Sequence, residues 1–365
     1  MRHDLDVNSL LRKIAGAFPP PEFLSMPVAA IDISDTSVKY FDTEHTTAGF
    51  VPRNLDSLPL SPGIVSGGVV QDVEELAKVL RVFNKKYKRK FAMASLPEEL
   101  VYLFTVRIPL QDGVEIKKMV EFALAEHVPI SPKDAVFDYD IISQSKTEVE
   151  VSVTVYERSV VDGYINALSL AGFGVRALEL EAHSIVRSVV PSGGKAVSMV
   201  CDFGSRRTGI AIARGQNPIF TITVNMGGDK ITKAIMARAS VTEEEASIIK
   251  RDAGLEYQDD KKVYEAILNE VRELVNEIER HYKFWDRRRD EHGDRVDRIE
   301  NIYICGGTAA LRGLAAYMEG ELRVPVNPSN IWQNMFNVSE HVPQIDKKSS
   351  WRYATTAGLM LKSMR

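Results

Sequence analysis

Two cysteines in 365 residues cannot staple a fold. Cys201 and Cys305 each sit in an apolar run beside an Asp or Gly turn. They read as small core residues in a reducing compartment, not as a disulfide. Long apolar stretches are equally scarce, and no run approaches the ~18–20 residues that span a bilayer. The first ten residues, MRHDLDVNSL, carry acids and contain no apolar signal core. Together these features point to the cytoplasm. A net charge of −4 excludes a general attraction to nucleic acid or to anionic lipid. What remains is 44% hydrophobic and 26% charged, the balance of a globular protein, over a length that suffices for two cores.

The most informative stretch is a device that occurs twice. The apolar run 197–201 ends in Asp202-Phe203-Gly204, and a second run, 209–213, follows the polar turn Ser205-Arg206-Arg207-Thr208. About half a chain earlier, the run 28–31 ends in Asp32. The polar turn Ser34-Asp35-Thr36-Ser37 and a second run from Val38 then follow. Each reads as strand, tight turn, strand. A carboxylate at the end of a buried strand is costly unless it is paired or binds a cation. Turn N–H groups can cradle phosphate while an Asp holds a divalent cation through water. Two such units predict two related halves facing one cleft, with both carboxylates on one Mg²⁺ and both turns on one polyphosphate.

The remaining segments alternate strand and helix. The leader, 1–26, has helical spacing at Leu10, Leu11, Ile14, Ala15 and Phe18 before Pro19-Pro20-Pro21, and reads as a loosely packed end. After the first hairpin comes Phe50-Val51-Pro52, then a loop containing Pro59 and Gly67-Gly68. Asp72 is expected to cap a helix. Residues 98–158 form a β-α-β-β insertion without a catalytic cluster. Met226-Gly227-Gly228-Asp229 opens a helix whose free N–H groups would suit phosphate. Thr242 and Glu245 have capping-box spacing, and 261–285 is a long amphipathic helix with a charged, solvated tail at 287–298. The strand 299–305 leads into Gly306-Gly307-Thr308, where backbone can touch a purine or ribose. A strand at 321–326 and a closing helix at 351–364 complete the chain.

In that order, the two Asp turns, the Gly-Gly-Asp helix and Ile304-Cys305-Gly306-Gly307-Thr308-Ala309 resemble the actin-like ATPase superfamily. Three strings narrow the resemblance to the PilM family of type IV pilus assembly. They are Asp32-Ile33-Ser34-Asp35-Thr36-Ser37-Val38-Lys39, Ala125-Glu126-His127-Val128-Pro129-Ile130 and Tyr353-Ala354-Thr355-Thr356-Ala357-Gly358-Leu359. The likeness covers roughly 27–362.

The resemblance implies an α/β, actin-like (ribonuclease H-like) two-domain ATPase fold with an FtsA-like 1C insertion. Subdomain 1A would comprise 27–97, 159–194 and 348–365, with 1C at 98–158. Subdomain 2A would comprise 195–225 and 299–347, with 2B at 226–298. It implies ATP and Mg²⁺ in the cleft, with Asp32 and Asp202 orienting the metal through water and Lys39 near the phosphates. Ser34, Asp35, Thr36, Ser37, Gly204, Ser205, Thr208, Gly227 and Gly228 would face the phosphates, and Gly306, Gly307 and Thr308 the adenosine. Ser34 stands where the family has Gly. The run 246–250 keeps Lys250, which would contact ribose or base, but lacks the Glu that accompanies it in FtsA-like relatives. No side chain for positioning attacking water can be named, so the expectation is nucleotide binding with slow or no hydrolysis. The implied partners are the cytoplasmic peptide of a PilN-like inner-membrane protein and other pilus assembly proteins. That places the chain in the cytoplasm, peripheral to the inner membrane. A true ATPase, a small-molecule kinase and an FtsA-like division protein are the alternatives.

Overall fold

A computed structural model describes residues 27–46, 49–110, 115–257, 259–289 and 295–364. The expected leader at 1–26 and part of the expected solvated tail, 290–294, lie outside these residues. The strands are β1 (Val28–Ile33), β2 (Ser37–Thr46), β3 (Gly49–Pro59), β4 (Val65–Ser66), β5 (Val69–Val70), β6 (Phe91–Leu96) and β7 (Tyr102–Pro109). They continue with β8 (Ala135–Gln144), β9 (Glu148–Glu157), β10 (Gly174–Leu180), β11 (Val197–Phe203), β12 (Thr208–Arg214), β13 (Asn217–Val224), β14 (Ile299–Cys305) and β15 (Val326–Pro328).

Two five-stranded sheets repeat one plan. Their orders are β10-β6-β1-β2-β3 and β13-β12-β11-β14-β15. In each, the first strand of the half pairs antiparallel with the second and parallel with the fourth. The internal repeat read from the two Asp turns is therefore a repeat of whole sheets. The central strands β1 and β11 are apolar and almost wholly buried, as expected for strands covered on both faces. The third sheet, β7-β9-β8, is antiparallel and carries helix Ile116–His127. Val149, Val151, Val153 and Val155 of β9 face that helix in a separate small core with Val120 and Leu124.

Two expectations need correction. The extended piece at 50–52 belongs to an eleven-residue strand, β3. As an edge strand it carries Pro52 and Pro59 without loss of an interior ladder bond, and a bulge opposite Asp42 and Thr43 absorbs the irregularity. The strand expected at 321–326 is instead the end of helix Leu314–Leu322, a left-handed Arg323 (φ 55°), and β15. Buried Leu314, Met318 and Leu322 recur at helical spacing, and that period wins over the short apolar alternation. Local helix signals otherwise operate as read. The Asp72 carboxylate accepts the Glu75 N–H at 3.0 Å, and Thr242 and Glu245 form a full capping box.

Helix Glu181–Val189, which follows a strand of the first sheet, packs on β11, β12 and β13 of the second. Helix Ala354–Ser363, which follows the second sheet, packs on β1, β2 and β6 of the first. The two helices cross where Gly358 meets Ser184. A Cβ at 358 would overlap the Ser184 carbonyl. Alanine elsewhere in a helix gains up to ~1 kcal/mol over glycine. Here overpacking reverses the sign, and Gly358→Ala is expected to destabilise by ~1–3 kcal/mol. A urea titration reads this as a lower midpoint, and a raised midpoint would show that the crossing is loose.

Candidate functional site

The carboxyl ends of β1, β6, β10, β11 and β14 all open on one cleft between the sheets, the usual place for a ligand in such α/β arrangements. Its volume is about 690 Å³, and its walls bring together the two hairpin turns, the start of the insertion and the Gly306-Gly307 loop. Asp32 ends β1 buried beneath the floor. It accepts Lys39 Nζ at 2.6 Å and Ser95 Oγ at 2.9 Å. Lys39 lies opposite Asp32 in the β1–β2 register, so the hairpin itself creates the pair. Asp202, from the other half, lies at the end of β11, with the Cys305 thiol 3.7 Å from its Oδ1. Gly306 (φ 86°) is packed against it, and a Cβ there would overlap the Asp202 carboxylate and the Phe203 backbone.

Of the residues expected to bind nucleotide, Ser34, Asp35, Thr36, Ser37, Lys39, Asp202, Gly204, Ser205, Gly306 and Gly307 line the cleft. Asp32, Thr208, Gly227, Gly228, Lys250 and Thr308 lie behind its walls. Thr208 Oγ1 donates to the Met226 carbonyl at 2.7 Å, and Thr308 Oγ1 to the Gly204 carbonyl at 3.0 Å. The N–H groups that open helix Gly228–Ala239 are not free. Gly228 N–H donates to the Gly204 carbonyl at 3.1 Å and Asp229 N–H to the Ser205 carbonyl at 2.8 Å. The Gly-Gly pair permits this backbone contact, since a Cβ at 227 would collide with the Ser205 carbonyl. Lys250 holds the same helix start, donating to the Gly228 carbonyl at 3.1 Å and Thr232 Oγ1 at 2.7 Å. These residues buttress the Asp202 hairpin from behind.

Sequence reasoning missed five charged residues that reach the cleft beside the Asp turns: Glu98, Glu99, Glu181, Arg206 and Arg207. Glu181 begins the helix that follows β10, and Glu98 follows β6. Their shared signal was position just beyond a strand whose carboxyl end meets the cleft, which the sequence carries only once the sheet order is known. The wall formed by Gly307, Ala310 and Arg312 continues into Arg251 and Asp252.

The floor is dominated by carboxyl groups. Burial, then the negative charge of Asp32, push the Asp202 carboxyl up to about 6, against the pull of Lys39 and the Cys305 thiol. Burial and Asp202 push Glu98 up to about 8. Glu181 is held well above the carboxylate range by burial, with Asp32, Asp202 and Glu98 adding to it. Burial alone would lower the Lys39 ammonium, but Asp32, with Asp202 and Glu181, holds it above its ordinary value. Two carboxylates with hard oxygen donors, the two further carboxyls of Glu98 and Glu181 and the Lys39 ammonium suit a hydrated divalent cation and a polyphosphate better than a neutral ligand. Among the described residues no group of three or more His, Cys, Asp or Glu side chains could hold a metal ion by itself. A cation here would therefore need ligand oxygens from water or from phosphate.

The raised carboxyls set a stability profile. The folded protein keeps protons on Asp202 and Glu98 that the unfolded chain has released above ~4–4.5. The native state then binds more protons, and stability falls as pH rises through the folded values. His281, which burial lowers from 6.5, opposes this only where it titrates. Each carboxyl is still reached by water from the cleft, which keeps the effect modest. The ligand-free protein is expected to lose Tm steadily from about pH 5 to about pH 8, and Asp202→Asn to flatten the acidic part of that slope. A Tm that rises across the range would remove the raised carboxyls from the cleft.

A family model described as "Type IV pilus assembly protein PilM" matches residues 30–364. Among solved structures, the chain is similar to one from a PilM-PilN type IV pilus biogenesis complex, with 21% identity and a TM-score of 0.75. That match covers 93% of this chain and 99% of that one. It is similar to the ethanolamine utilization protein EutJ from Carboxydothermus hydrogenoformans at 16% identity and TM-score 0.53, covering 94% and 90%. The third likeness is to MreB5 of Spiroplasma citri bound to AMPPNP, at 12% identity and TM-score 0.54, covering 92% and 95%. The fold is actin-like.

Proposed function

Because the chain belongs to the PilM family of type IV pilus assembly proteins, we propose that it is an ATP·Mg²⁺-binding scaffold that docks the cytoplasmic peptide of a PilN-like membrane protein. The observation that carries the nucleotide reading is the convergence of the two hairpins. Asp32 and Asp202 come from opposite halves, and the ammonium of Lys39 feels both charges across one cleft. A polyphosphate brought over that acidic floor meets repulsion unless a divalent cation intervenes. In this reading Asp202 and the fixed Asp32 hold the cation's water shell, Lys39 neutralises the floor, and the Gly204–Ser205 turn approaches the phosphates. The bound metal supplies charge neutralisation. The loop Gly306-Gly307 and the neighbouring Arg312 leave room for a nucleoside, since nothing lies within 4 Å of a Cβ placed on Gly307. The related MreB5 structure, bound to AMPPNP, supports the same choice of ligand.

The partner reading rests on the insertion. β8 is an edge strand, and Asp140 on it approaches Nε2 of buried His183 at 3.3 Å. An apolar side chain on the same strand, Ile141, is 48% exposed. An edge with open backbone groups beside an exposed apolar side chain suits an extended peptide. The related complex containing PilN points to which peptide. Among the described residues no helix is long and apolar enough to cross a membrane, so the chain would reach the inner membrane through this partner. The subdomain limits given above are proposed on the same basis, with 98–158 as the docking module.

Calorimetry with ATP and Mg²⁺ tests the first half. Wild-type protein is expected to bind and to turn ATP over well below the ~1–10³ s⁻¹ of dedicated enzymes. Asp202→Asn is expected to lose about tenfold or more in affinity, the usual scale for removing one charge from a buried cluster. Unchanged affinity in that variant would move the nucleotide out of the cleft.

A labelled peptide from the cytoplasmic end of the PilN-like protein tests the second half by fluorescence anisotropy. Ile141→Asp should weaken it about tenfold or more, as loss of a central apolar contact does, while ATP retention is unchanged. Full peptide affinity in that variant would place docking elsewhere.

A further inference from the structure

Arg207 belongs to the second hairpin, but its side chain is spent on the first half. Nη2 donates to Asp35, and Nη1 pairs with Glu99 in the turn that opens the insertion. Arg206 Nη1 stands 3.9 Å from the same Asp35 carboxylate. Neither anion depends on Arg207 alone. Asp35 also accepts the N–H groups of Gly67 and Gly68 at 3.2 and 3.1 Å. The Glu99 side chain keeps a quarter of its surface in solvent. The guanidinium is thus a strong donor fork suspended in the cleft between two carboxylates, one also served by backbone N–H groups and the other by solvent. Lys39, the cation on the floor, is committed to Asp32 at 2.6 Å. A guanidinium fork matches a phosphate as well as it matches a carboxylate.

We propose that Arg207 reads the terminal phosphate of the bound nucleotide, exchanging Glu99 and Asp35 for it, and so sets a preference for a nucleoside triphosphate over a diphosphate. The inference rests on the nucleotide reading above. It gives Asp35 and Glu99 the role of holding Arg207 ready across the cleft. It also means that triphosphate binding breaks a tie between the second hairpin and the insertion.

The test is a calorimetric titration of the full chain with Mg²⁺·ATP and, separately, Mg²⁺·ADP. Wild-type protein should favour ATP. Arg207→Ala should lose about tenfold or more in ATP affinity, the scale of a hydrogen-bonded charge contact, while ADP affinity moves less than about twofold. Arg207→Lys keeps the charge but not the fork, and should fall between. Glu99→Gln removes a competitor for the guanidinium and should tighten ATP binding without changing ADP. That gain separates a phosphate reader from a structural brace, since weakening a brace tightens nothing. Equal losses for both nucleotides in Arg207→Ala, or an ATP-to-ADP ratio unmoved in every variant, would overturn the inference and leave the nucleotide reading intact. A wild-type chain that binds neither nucleotide would overturn both.

Discussion

The crossing of two helices at Gly358 is the constraint on which the arrangement of the halves depends. Each helix is supplied by one half and packed on the sheet of the other. Every residue from 354 to 361 is buried, which no surface helix would tolerate and which the run ATTAGLML permits. The crossing is fixed by polar bonds as well as by packing. Arg187 grips Glu179 through two hydrogen bonds of 2.7 and 2.6 Å and donates to the Gly358 carbonyl at 3.0 Å. Lys362 reaches the same Glu179 at 2.8 Å. Burial works against the Glu179 carboxylate, but Arg187 and Lys362 together hold it down at about 2. Removing one member would leave a buried charge unpaired, the costly case for such clusters. Since the helix that begins at Glu181 also lines the cleft, the joint that unites the halves positions the site between them.

Above that joint the cleft has an acidic floor and cationic walls. Asp202, Glu98 and Glu181 reach the floor from three different strand ends, and Asp32 lies buried beneath it, paired with Lys39. Arg206 and Arg207 stand on the facing hairpin. Crowding and burial at this floor cost stability, which is why Asp202, Glu98 and Glu181 are pushed above the ordinary carboxylate range. The same arrangement becomes favourable once cations enter, because Coulomb terms in a poorly solvated cleft are worth several times their value in water. Stability is thereby traded for a site that discriminates by charge.

Much of this is legible in the sequence. The two Asp-terminated strands, the caps at Asp72 and Thr242 and the alternation of β9 are local signals, and they operate locally. The residues that went unrecognised depend on sheet order. Glu181 and Glu98 carry no motif; they matter because β10 and β6 flank β1 and end at the same edge. Other residues expected at the nucleotide stand behind the cleft walls. Gly227, Gly228 and Lys250 sit in a pattern that elsewhere signals phosphate. Here the Gly204 and Ser205 carbonyls reach the helix start first and consume its donors. A glycine pair permits close approach without stating what approaches, and in this chain it is backbone.

The insertion, finally, is a brace and not an appendage. Glu99 ties it to the second hairpin through Arg207, and Tyr156 Oη donates to the Pro97 carbonyl at 2.9 Å. On its far side Ser152 Oγ donates to the Pro218 carbonyl at 3.0 Å, and Glu150 pairs with Arg214 at 3.0 Å. The three-stranded sheet is therefore anchored to the half it interrupts and to the half it does not. Any movement of one half against the other has to be accommodated by these contacts, and any ligand on β8 acts on a sheet that both halves hold. Coupling between two such sites is reciprocal in free energy. If cleft occupancy changes how the insertion is held, a peptide on the insertion must change cleft affinity by the same factor. Under the proposed nucleotide and peptide reading, a scaffold built this way would pass a nucleotide state to its partner without rapid turnover, because the information would lie in which contacts of the brace are closed.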